Sequence, residues 1–444
     1  MKSEGTRSGA VRVAAELADR ARAEACLSRV ARELIGSEIL AIAAQIRARI
    51  AAGESVLNLT VGDYLPSEFP IPAALLSGIK EALDQGQTNY PPADGMQELR
   101  KAVVRHYQRE LSLDYPVESC VIASGARPAI YAAYRSLVDP GDRVIYPVPS
   151  WNNNHYCHLA GAVGVPVVAR ADDHFMPSAA LIAPHFKDAR LLCLNSPLNP
   201  SGTMFTRAQL LEIVAAVADE NHRRKRSGAR PLVILYDQVY CGLTLGGHSH
   251  HTPVELLPEA AGWTIFVDGI SKSFAATGLR VGWAIGPPAI VARMADLIGH
   301  MGAWAPRPEQ LATARMLEDA AARAEFELTM RAALEARLER LHQGLERLCA
   351  SGLPVRSLAP EGGIYLSAQV ALRGLRHGNQ TFTTNDAIRR YLLESAGIAL
   401  VPFQAFGYPG EDGWFRLSVG AVTRSQIDEV LVRLQTALQR LGAA

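Results

Sequence analysis

Short apolar runs alternate with helix-length stretches over the central part of the chain. The runs lie at residues 121–123, 143–146, 191–194, 232–235 and 263–267. Runs that are apolar nearly throughout, without polar positions in alternation, are typical of strands buried on both faces of a sheet. Helices between such strands favour parallel pairing, because a parallel connection has to cross from one end of the sheet to the other. The pattern predicts an α/β fold with a mostly parallel sheet between helices.

Helical periodicity dominates the two ends of the chain. Residues 1–36 are rich in Ala and Arg and predict a helical extension, and Ser37 would cap a helix whose apolar positions fall between 39 and 46. A long helical stretch is predicted over about 309–349 and a final helix over 424–441. The long helix would lead into a second domain that contains mixed strands.

The composition is that of an ordinary globular protein. Of the 444 residues, 48% are hydrophobic and 20% are charged, and the formal net charge is +1. This balance gives no electrostatic reason to expect a nucleic acid or an anionic membrane as partner, and no apolar stretch approaches the roughly 20 residues of a membrane span. The start of the chain lacks the apolar core of a secretory signal, so a cytoplasmic location is expected.

Cysteine and histidine spacings give no sign of a metal site. The six cysteines are scattered without a CxxC pair, which excludes zinc ribbons and thioredoxin-like chemistry, and they are expected to be reduced. The stretch GGHSHH brings His248, His250 and His251 together, but no carboxylate or cysteine nearby in sequence completes a site. It is interpreted as an exposed turn.

Ligands of parallel sheets collect at the carboxyl ends of the strands, so the polar groups after the apolar runs are the candidate site. After the first run, SGARP provides a glycine turn and the free amides of Gly125, Ala126 and Arg127 at the start of a helix. Such a helix start can hold a phosphate, although many αβ turns look similar.

Three further strand ends supply chemistry. NSPLNPSGT sets Asn195 and Asn199 in a rigid loop, which a plain turn with capping side chains would also explain. LYDQVY ends an apolar strand with Asp237, a carboxylate that is costly at that depth unless it is paired. DGISKSF then presents Lys272, which alone would be interpreted as a solvated charge. Jointly these groups describe a site for a phosphorylated, nitrogen-containing aromatic aldehyde.

With these motifs in order, the chain resembles the class I/II aminotransferases, which are pyridoxal-phosphate enzymes of fold type I. The resemblance rests on NYPPADGMQELRKAV, LVDPGDRVIYPVPSW, NSPLNPSGT, LYDQVY, SKSFAATGLRVGW and FRLSVG, and it covers roughly residues 37–440. The branch that contains bacterial aspartate aminotransferases is the most similar. The resemblance implies a mostly parallel sheet sandwiched by helices, with a smaller α+β domain formed by both ends of the chain. The implied parts are an N-terminal extension (1–36), a first piece of the small domain (37–61), a large cofactor-binding domain (62–308), and an interdomain helix with the rest of the small domain (309–444).

The resemblance also assigns roles to residues around the cofactor, pyridoxal 5′-phosphate. Lys272 would join the cofactor as a Schiff base and move the proton, and Asp237 would keep the pyridine nitrogen protonated. Tyr240 and Asn199 would donate hydrogen bonds to the phenolic oxygen, and Trp151 would stack on the ring.

Other residues would bind the phosphate, the substrate or a second subunit. The phosphate would be held by Gly125, Ala126, Arg127, Ser271 and Arg280. The substrate would be held by Arg416, Gly62, Asn199 and Trp151. Arg416 would grip the α-carboxylate by a planar two-point contact. Tyr90 would reach the phosphate of the neighbouring subunit, so the resemblance implies a homodimer with shared active sites, acting on an amino acid and a 2-oxo acid.

Some positions depart from the family pattern and leave the substrate open. A second phosphate-binding serine is replaced by Gly269, Ser150 and Asn154 replace aromatic residues, and Phe403 stands where a glycine is usual. The polar residues Ser150 and 152–154 beside Trp151 favour small dicarboxylic or polar donors.

Three classes of function remain at this point. The first is an amino-acid:2-oxo-acid transaminase, and the second is a lyase or carbon–carbon-bond-forming enzyme on the same scaffold, since fold alone does not decide the chemistry. The third is a ligand-sensing regulator, which the absence of a helix-turn-helix pattern in the first 36 residues disfavours.

Overall fold

A computed structural model describes residues 20–36 and 38–441 of the chain. They form two separately packed units, divided between residues 36 and 37. The first contains two short helices, α1 (Arg20–Ala25) and α2 (Arg29–Glu33), and the Ser28 hydroxyl caps α2 by accepting a hydrogen bond from Ala31 N at 3.2 Å. Residues 1–19 of the predicted extension, and Ser37 with its predicted cap, lie outside the described residues.

The strands of the second unit are numbered in chain order. They are β1 (Leu57–Asn58), β2 (Cys120–Ala123), β3 (Arg143–Val148), β4 (Val163–Val168), β5 (Ala189–Asn195), β6 (Val233–Asp237), β7 (Thr264–Gly269), β8 (Gly282–Ile285), β9 (Val355–Ser357), β10 (Tyr365–Val370), β11 (Arg376–His377), β12 (Gln380–Thr381), β13 (Ile398–Ala399), β14 (Val401–Pro402) and β15 (Trp414–Ser418).

The helices of this unit continue the numbering. They are α3 (Glu38–Ala51), α4 (Ala73–Asp84), α5 (Gln97–Leu111), α6 (Ala126–Leu137), α7 (Asn153–Ala160), α8 (Ala179–Ile182), α9 (Arg207–Ser227), α10 (Pro253–Leu256), α11 (Ile270–Ser273), α12 (Pro288–Met301), α13 (Arg307–Glu318), α14 (Ala320–Ala350), α15 (Asn385–Ala396) and α16 (Arg424–Leu438).

A seven-stranded sheet organises the central part of the chain. Its order is β2-β8-β7-β6-β5-β3-β4, and all its pairings are parallel except those of β8, which runs antiparallel to both neighbours. Strands β2, β6, β7 and β8 are almost wholly buried, because helices cover both faces. The predicted α/β fold with a mostly parallel sheet is confirmed.

A second, four-stranded sheet of order β14-β15-β10-β9 lies in the C-terminal part. Strand β1 pairs in parallel with β13, so the beginning of this unit is hydrogen-bonded to its C-terminal part. The division of the chain at residues 61 and 308 stays a prediction.

The long helix predicted over 309–349 is wrong in one respect, because the structure divides it into α13 and α14 at Asp319. The Asp319 carboxylate accepts a hydrogen bond from Ala322 N at 3.0 Å and caps α14. Aspartate favours such an N-cap over a helix interior, because its side chain competes for backbone amides. The final helix ends at Leu438, three residues before the predicted 441.

The histidine-rich turn is only partly exposed. Residues 246–249 are exposed as predicted, but His250 lies 3.3 Å from Gln238 Oε1 through Nε2 and 5.9 Å from the Tyr236 ring. Burial lowers the pKa of His250 to about 3, so it is neutral. Within the described residues, no group of three His, Cys, Asp or Glu is placed to hold a metal ion, and no helix is long and apolar enough to cross a membrane.

Candidate active site

Three neighbouring parallel strands, β5, β6 and β7, deliver polar residues to one edge of the sheet. Asn195 ends β5 opposite Asp237, which ends β6, and β7 leads directly into α11 with Lys272. The Asn195 amide donates to Asp237 O at 2.8 Å, and its oxygen accepts from Asn199 N at 2.9 Å. Asn195 therefore fixes the loop that contains Asn199 relative to the strand that contains Asp237.

Lys272 reaches back over the site toward the chain that follows β1. Its Nζ donates to Gly62 O at 2.6 Å and lies 5.8 Å from the centre of the Tyr240 ring. The Tyr64 hydroxyl donates to Lys272 O at 2.8 Å, which fixes the backbone below the side chain. The structure thus brings Gly62, Tyr240 and Lys272 together, and it adds Tyr64, which was not singled out in the sequence.

The Asp237 carboxyl has an unusual proton affinity. Its side chain keeps some accessible surface, but the protein packed around it desolvates the carboxylate and raises its pKa to about 6. The backbone N–H of Val239 and the charge of Lys272 act in the opposite direction and are smaller. An acid in such a place is stabilised as a carboxylate once a cationic ligand lies beside it.

The start of α6 forms a narrow anion cradle with Arg280. The Arg280 guanidinium donates to Ser124 O at 3.0 Å and to Thr277 O at 2.7 Å. Gly125 has φ +93°, and a Cβ at this position would overlap the Arg280 guanidinium, so both conformation and space require glycine. Burial, and next the charge of Arg127, lower the pKa of Arg280, as expected where two cations lie close together.

Arg127 and Trp151 meet at the side of the cradle. The Arg127 guanidinium lies 4.9 Å above the Trp151 ring, and the Trp151 ring lies 6.4 Å from that of Phe406. Phe406 in turn is covered by the Arg416 guanidinium at 4.9 Å. Successive contacts therefore connect Arg127 to Trp151, Trp151 to Phe406 and Phe406 to Arg416, and Phe406 was not predicted from the sequence.

Arg416 is a cation buried almost completely, with 1% of its surface exposed. It donates to Asn199 Oδ1 at 3.1 Å and to Thr60 O at 2.6 Å, and its Nε has no hydrogen-bond partner among the described residues. Burial lowers its pKa, while the nearby tyrosines act in the opposite direction. A buried guanidinium with an unused N–H is suited to bind a carboxylate.

Tyr365 is the main residue that the sequence analysis missed. Its hydroxyl lies 2.9 Å from the Tyr240 hydroxyl, and its ring lies 4.5 Å below the Arg416 guanidinium. Strand β10 pairs with β15 so that Tyr365 faces Ser418 and Ser367 faces Arg416, which puts Tyr365 and Arg416 diagonally on one face. Only this register reveals the contact, since the residues are far apart in sequence.

The departures from the family pattern have structural reasons. A Cβ at Gly269 would lie 2.7 Å from Val281 O and 2.8 Å from Gly282 Cα, so no serine fits between these chains. Phe403 is fully buried and packs 4.9 Å from Phe175 as part of the core. Asn153 accepts a hydrogen bond from Tyr134 at 3.0 Å and Asn154 is exposed, so these asparagines support a polar donor less than the sequence suggested.

The last two predicted residues have fewer contacts in the single chain. Ser271 is half-buried in α11, directly before Lys272. Tyr90 is 80% exposed, and its ring lies 5.2 Å from that of Trp304.

Comparisons with known proteins cover most of the chain. The sequence profile of the family "Aminotransferase class I and II" matches residues 54–434. The chain belongs to the class I and II aminotransferases. It is an aminotransferase that uses pyridoxal phosphate, as the resemblance in sequence implied, and the lyase alternative is not favoured.

Relatives and solved structures cover almost the whole chain. It is 31% identical to an aspartate aminotransferase of Streptomyces avermitilis, over 91% of this chain and 93% of the relative. A structure of the Thermus thermophilus aspartate aminotransferase with maleate superimposes with a TM-score of 0.82 at 26% identity, covering 93% of this chain and 99% of the other. An aromatic aminotransferase from Pyrococcus horikoshii gives a TM-score of 0.77, also at 26% identity, covering 89% and 98%. Similarity at this level does not select the donor.

The residues present fit pyridoxal phosphate. The cradle of Gly125 and Arg280 offers a helix start and a cation for a phosphate, and Asp237 offers a desolvated acid for a ring nitrogen. Lys272 offers an amine within the same site, and Arg416 retains an unused N–H for a carboxylate.

Proposed function

We propose that this aminotransferase moves the amino group of a dicarboxylic L-amino acid of the aspartate class to a 2-oxo acid, with Lys272 as the cofactor-binding lysine. The observation that supports the dicarboxylic class is the presence of two guanidiniums beside the site, with Arg416 packed on Phe406 and Arg127 packed on Trp151. Arg416 binds the α-carboxylate and Arg127 the distal one. The names of the aspartate aminotransferase relatives agree with this choice.

Lys272 is the residue that handles the proton. The bound cofactor supplies an aldehyde for an amine and a cationic ring that withdraws electrons from the substrate's α-carbon. Lys272 Nζ would provide the amine that holds the cofactor, and as a free amine it would accept the proton from the α-carbon of the substrate. The Gly62 carbonyl accepts a hydrogen bond from Nζ at 2.6 Å and orients the free amine.

Asp237, Tyr240 and Asn199 tune the proton affinity of the site. The Asp237 carboxylate holds a proton on the ring nitrogen, because an ion pair in a desolvated site is strong. The Tyr240 hydroxyl would donate a hydrogen bond to the phenolic oxygen of the cofactor. The side-chain oxygen of Asn199 accepts a hydrogen bond from Arg416 at 3.1 Å. Its amide N–H groups are therefore the ones available as donors to the cofactor ring.

The remaining residues bind and orient. The phosphate is held by the amides of Gly125, Ala126 and Arg127, the Ser271 hydroxyl and the Arg280 guanidinium. Trp151 covers one face of the ring. A second copy of the chain is the proposed partner, with the exposed Tyr90 reaching its cofactor site. The cytoplasmic location stays a prediction from the sequence.

A single-turnover experiment tests this function. Enzyme loaded with pyridoxal phosphate and mixed with L-aspartate alone should release about one oxo acid per active site, and a 2-oxo acid added later should restore the starting visible spectrum. Among the common amino acids, aspartate and glutamate should react fastest. If aromatic donors react fastest, the dicarboxylic proposal is wrong; if no donor loses its amino group to the enzyme, transamination itself is wrong.

Arg127 is expected to select for the second carboxylate. In Arg127→Met the charge is lost while the chain length is roughly kept, so kcat/KM for aspartate should fall by about tenfold to a hundredfold, the usual effect of one charge-assisted hydrogen bond. The value for alanine, which has no second carboxylate, should change little. Arg230→Met is the matched control, since Arg230 forms an exposed ion pair with Asp139 at 2.8 Å. Equal losses for aspartate and alanine would assign Arg127 to the cofactor alone.

A further inference from the structure

We propose that Tyr365 is a positioning residue for the cofactor site: its hydroxyl donates to the Tyr240 hydroxyl and thereby directs the Tyr240 proton toward the cofactor, while its ring supports Arg416. The inference rests on the proposed function, because it concerns the same site. Tyr365 contacts both Arg416, which is proposed to bind the substrate carboxylate, and Tyr240, which is proposed to hydrogen-bond to the cofactor.

The geometry connects three parts of the site through one side chain. The two hydroxyls lie 2.9 Å apart, and the two rings meet edge to face at 5.7 Å. The Arg416 guanidinium lies 4.5 Å from the centre of the Tyr365 ring. A Cβ on Gly62 would overlap the Tyr365 hydroxyl, so this hydroxyl lies against the peptide whose carbonyl accepts from Lys272.

The direction of the tyrosine–tyrosine hydrogen bond follows from counting protons. Each hydroxyl has one hydrogen, and in the proposed function Tyr240 uses its hydrogen in the hydrogen bond to the phenolic oxygen of the cofactor. Tyr240 can then only accept from Tyr365. Tyr240 and Tyr365 are 3% and 2% exposed, so bulk water does not compete for either hydroxyl.

This arrangement strengthens the donation by Tyr240. A hydroxyl that accepts one hydrogen bond becomes a better donor in the next, and the effect is larger away from water. The cation above the Tyr365 ring polarises that ring and adds to its donor strength. The titratable and charged groups that face the pair from other segments are Tyr64, Lys272 and Arg416. The charge of Asp63 acts on Tyr64.

The consequence is a change in how tightly Lys272 holds a proton. If the hydroxyl of Tyr365 is removed, Tyr240 donates more weakly, and more negative charge stays on the phenolic oxygen. That charge attracts the proton on Lys272 Nζ in the loaded enzyme and raises its proton affinity. The ring of Tyr365 still supports Arg416, so carboxylate binding is kept.

The test compares pH titrations of the visible absorbance of the loaded enzyme without substrate. In Tyr365→Phe the midpoint should rise by roughly half a pH unit to one unit, the effect expected from one net hydrogen bond. Dissociation of maleate, a dicarboxylate that does not react, should change less than about twofold, since carboxylate binding through Arg416 remains. Tyr365→Leu, which removes the ring as well, should raise the midpoint of the titration and also weaken the binding of maleate.

Tyr391→Phe is the matched control, because it removes a buried hydroxyl that donates to Ala437 O at 2.7 Å in the C-terminal part of the chain. Its midpoint should equal that of the wild type. An unchanged midpoint in Tyr365→Phe, or an equal rise in Tyr391→Phe, overturns the inference and leaves the transaminase activity as proposed. If the wild-type protein, mixed with pyridoxal phosphate, showed no visible absorbance from a bound cofactor, both this inference and the proposed function would be overturned.

Discussion

Replacing Lys272 by alanine is expected to lower turnover by at least about ten-thousandfold, because one side chain supplies both the nucleophilic amine and the proton carrier. Cofactor binding should persist, since the cradle of Gly125 and Arg280 does not depend on the lysine. Borohydride treatment of the wild type followed by peptide mass spectrometry should find the cofactor fixed to the peptide with Lys272. In the variant the cofactor should wash out after the same treatment.

Lys80→Ala provides the control, because Lys80 is exposed on α4. It should keep both turnover and the labelled peptide. Label on a different lysine in the wild type, or turnover within tenfold of normal in Lys272→Ala, would contradict the assignment of Lys272.

Much of the site could be predicted because its residues follow the carboxyl ends of parallel strands. Asp237 and Lys272 each follow an apolar run, and parallel pairing of β6 and β7 necessarily brings the ends of these runs together. Gly125 was predictable for the same reason, since it follows β2 at the start of a helix. Local sequence sufficed because the sheet converts neighbouring strand ends into neighbours in space.

Residues that reach the site from the C-terminal part could be predicted only in part. Arg416 was found through the motif FRLSVG, but Tyr365 depends on the register of β10 against β15, and Phe406 lies in a short turn of 3₁₀-helix after β14. Antiparallel register is set by packing on both faces of the sheet, and no local pattern around Tyr365 reports it. The break at Asp319 was missed for a related reason, because flanking residues of high helix propensity hide a single capping aspartate.

The same register gives a reason to expect communication between substrate and cofactor. A carboxylate bound at Arg416 would partly neutralise the positive charge that lies over the Tyr365 ring. The Tyr365 hydroxyl lies 2.9 Å from the Tyr240 hydroxyl, so the change would reach Tyr240. Binding at one end of the site is therefore expected to alter the proton affinity at the other. Asn199 provides a parallel route, because its oxygen accepts directly from Arg416 at 3.1 Å.

Asp237→Asn is expected to keep cofactor binding but to lose turnover on the order of a thousandfold, since the amide cannot hold the ring nitrogen protonated and an ion pair in a desolvated site is lost. Asp268→Asn is the matched control. Asp268 is also a carboxyl near the site, but burial raises its pKa to about 8, so its replacement removes less negative charge near neutral pH than the replacement of Asp237 does. Near-normal turnover in Asp237→Asn would mean that another group withdraws electrons.

In the cofactor-free protein, Asp237→Asn should raise the stability of the folded state, although the same substitution lowers the turnover of the loaded enzyme. Burial raises the pKa of Asp237 in the folded chain to about 6, above its ordinary value in an unfolded chain, so the folded state binds the proton more tightly. The stabilisation by the neutral acid is complete below about pH 4 and is lost as pH rises through about 6. Thermal unfolding without cofactor should therefore find Asp237→Asn more stable than the wild type at about pH 8, with a smaller difference at about pH 5. A variant less stable than the wild type at the higher pH would show that the carboxylate is already paired before the cofactor binds, and the role of Asp237 as the acid awaiting a cationic ring would be wrong.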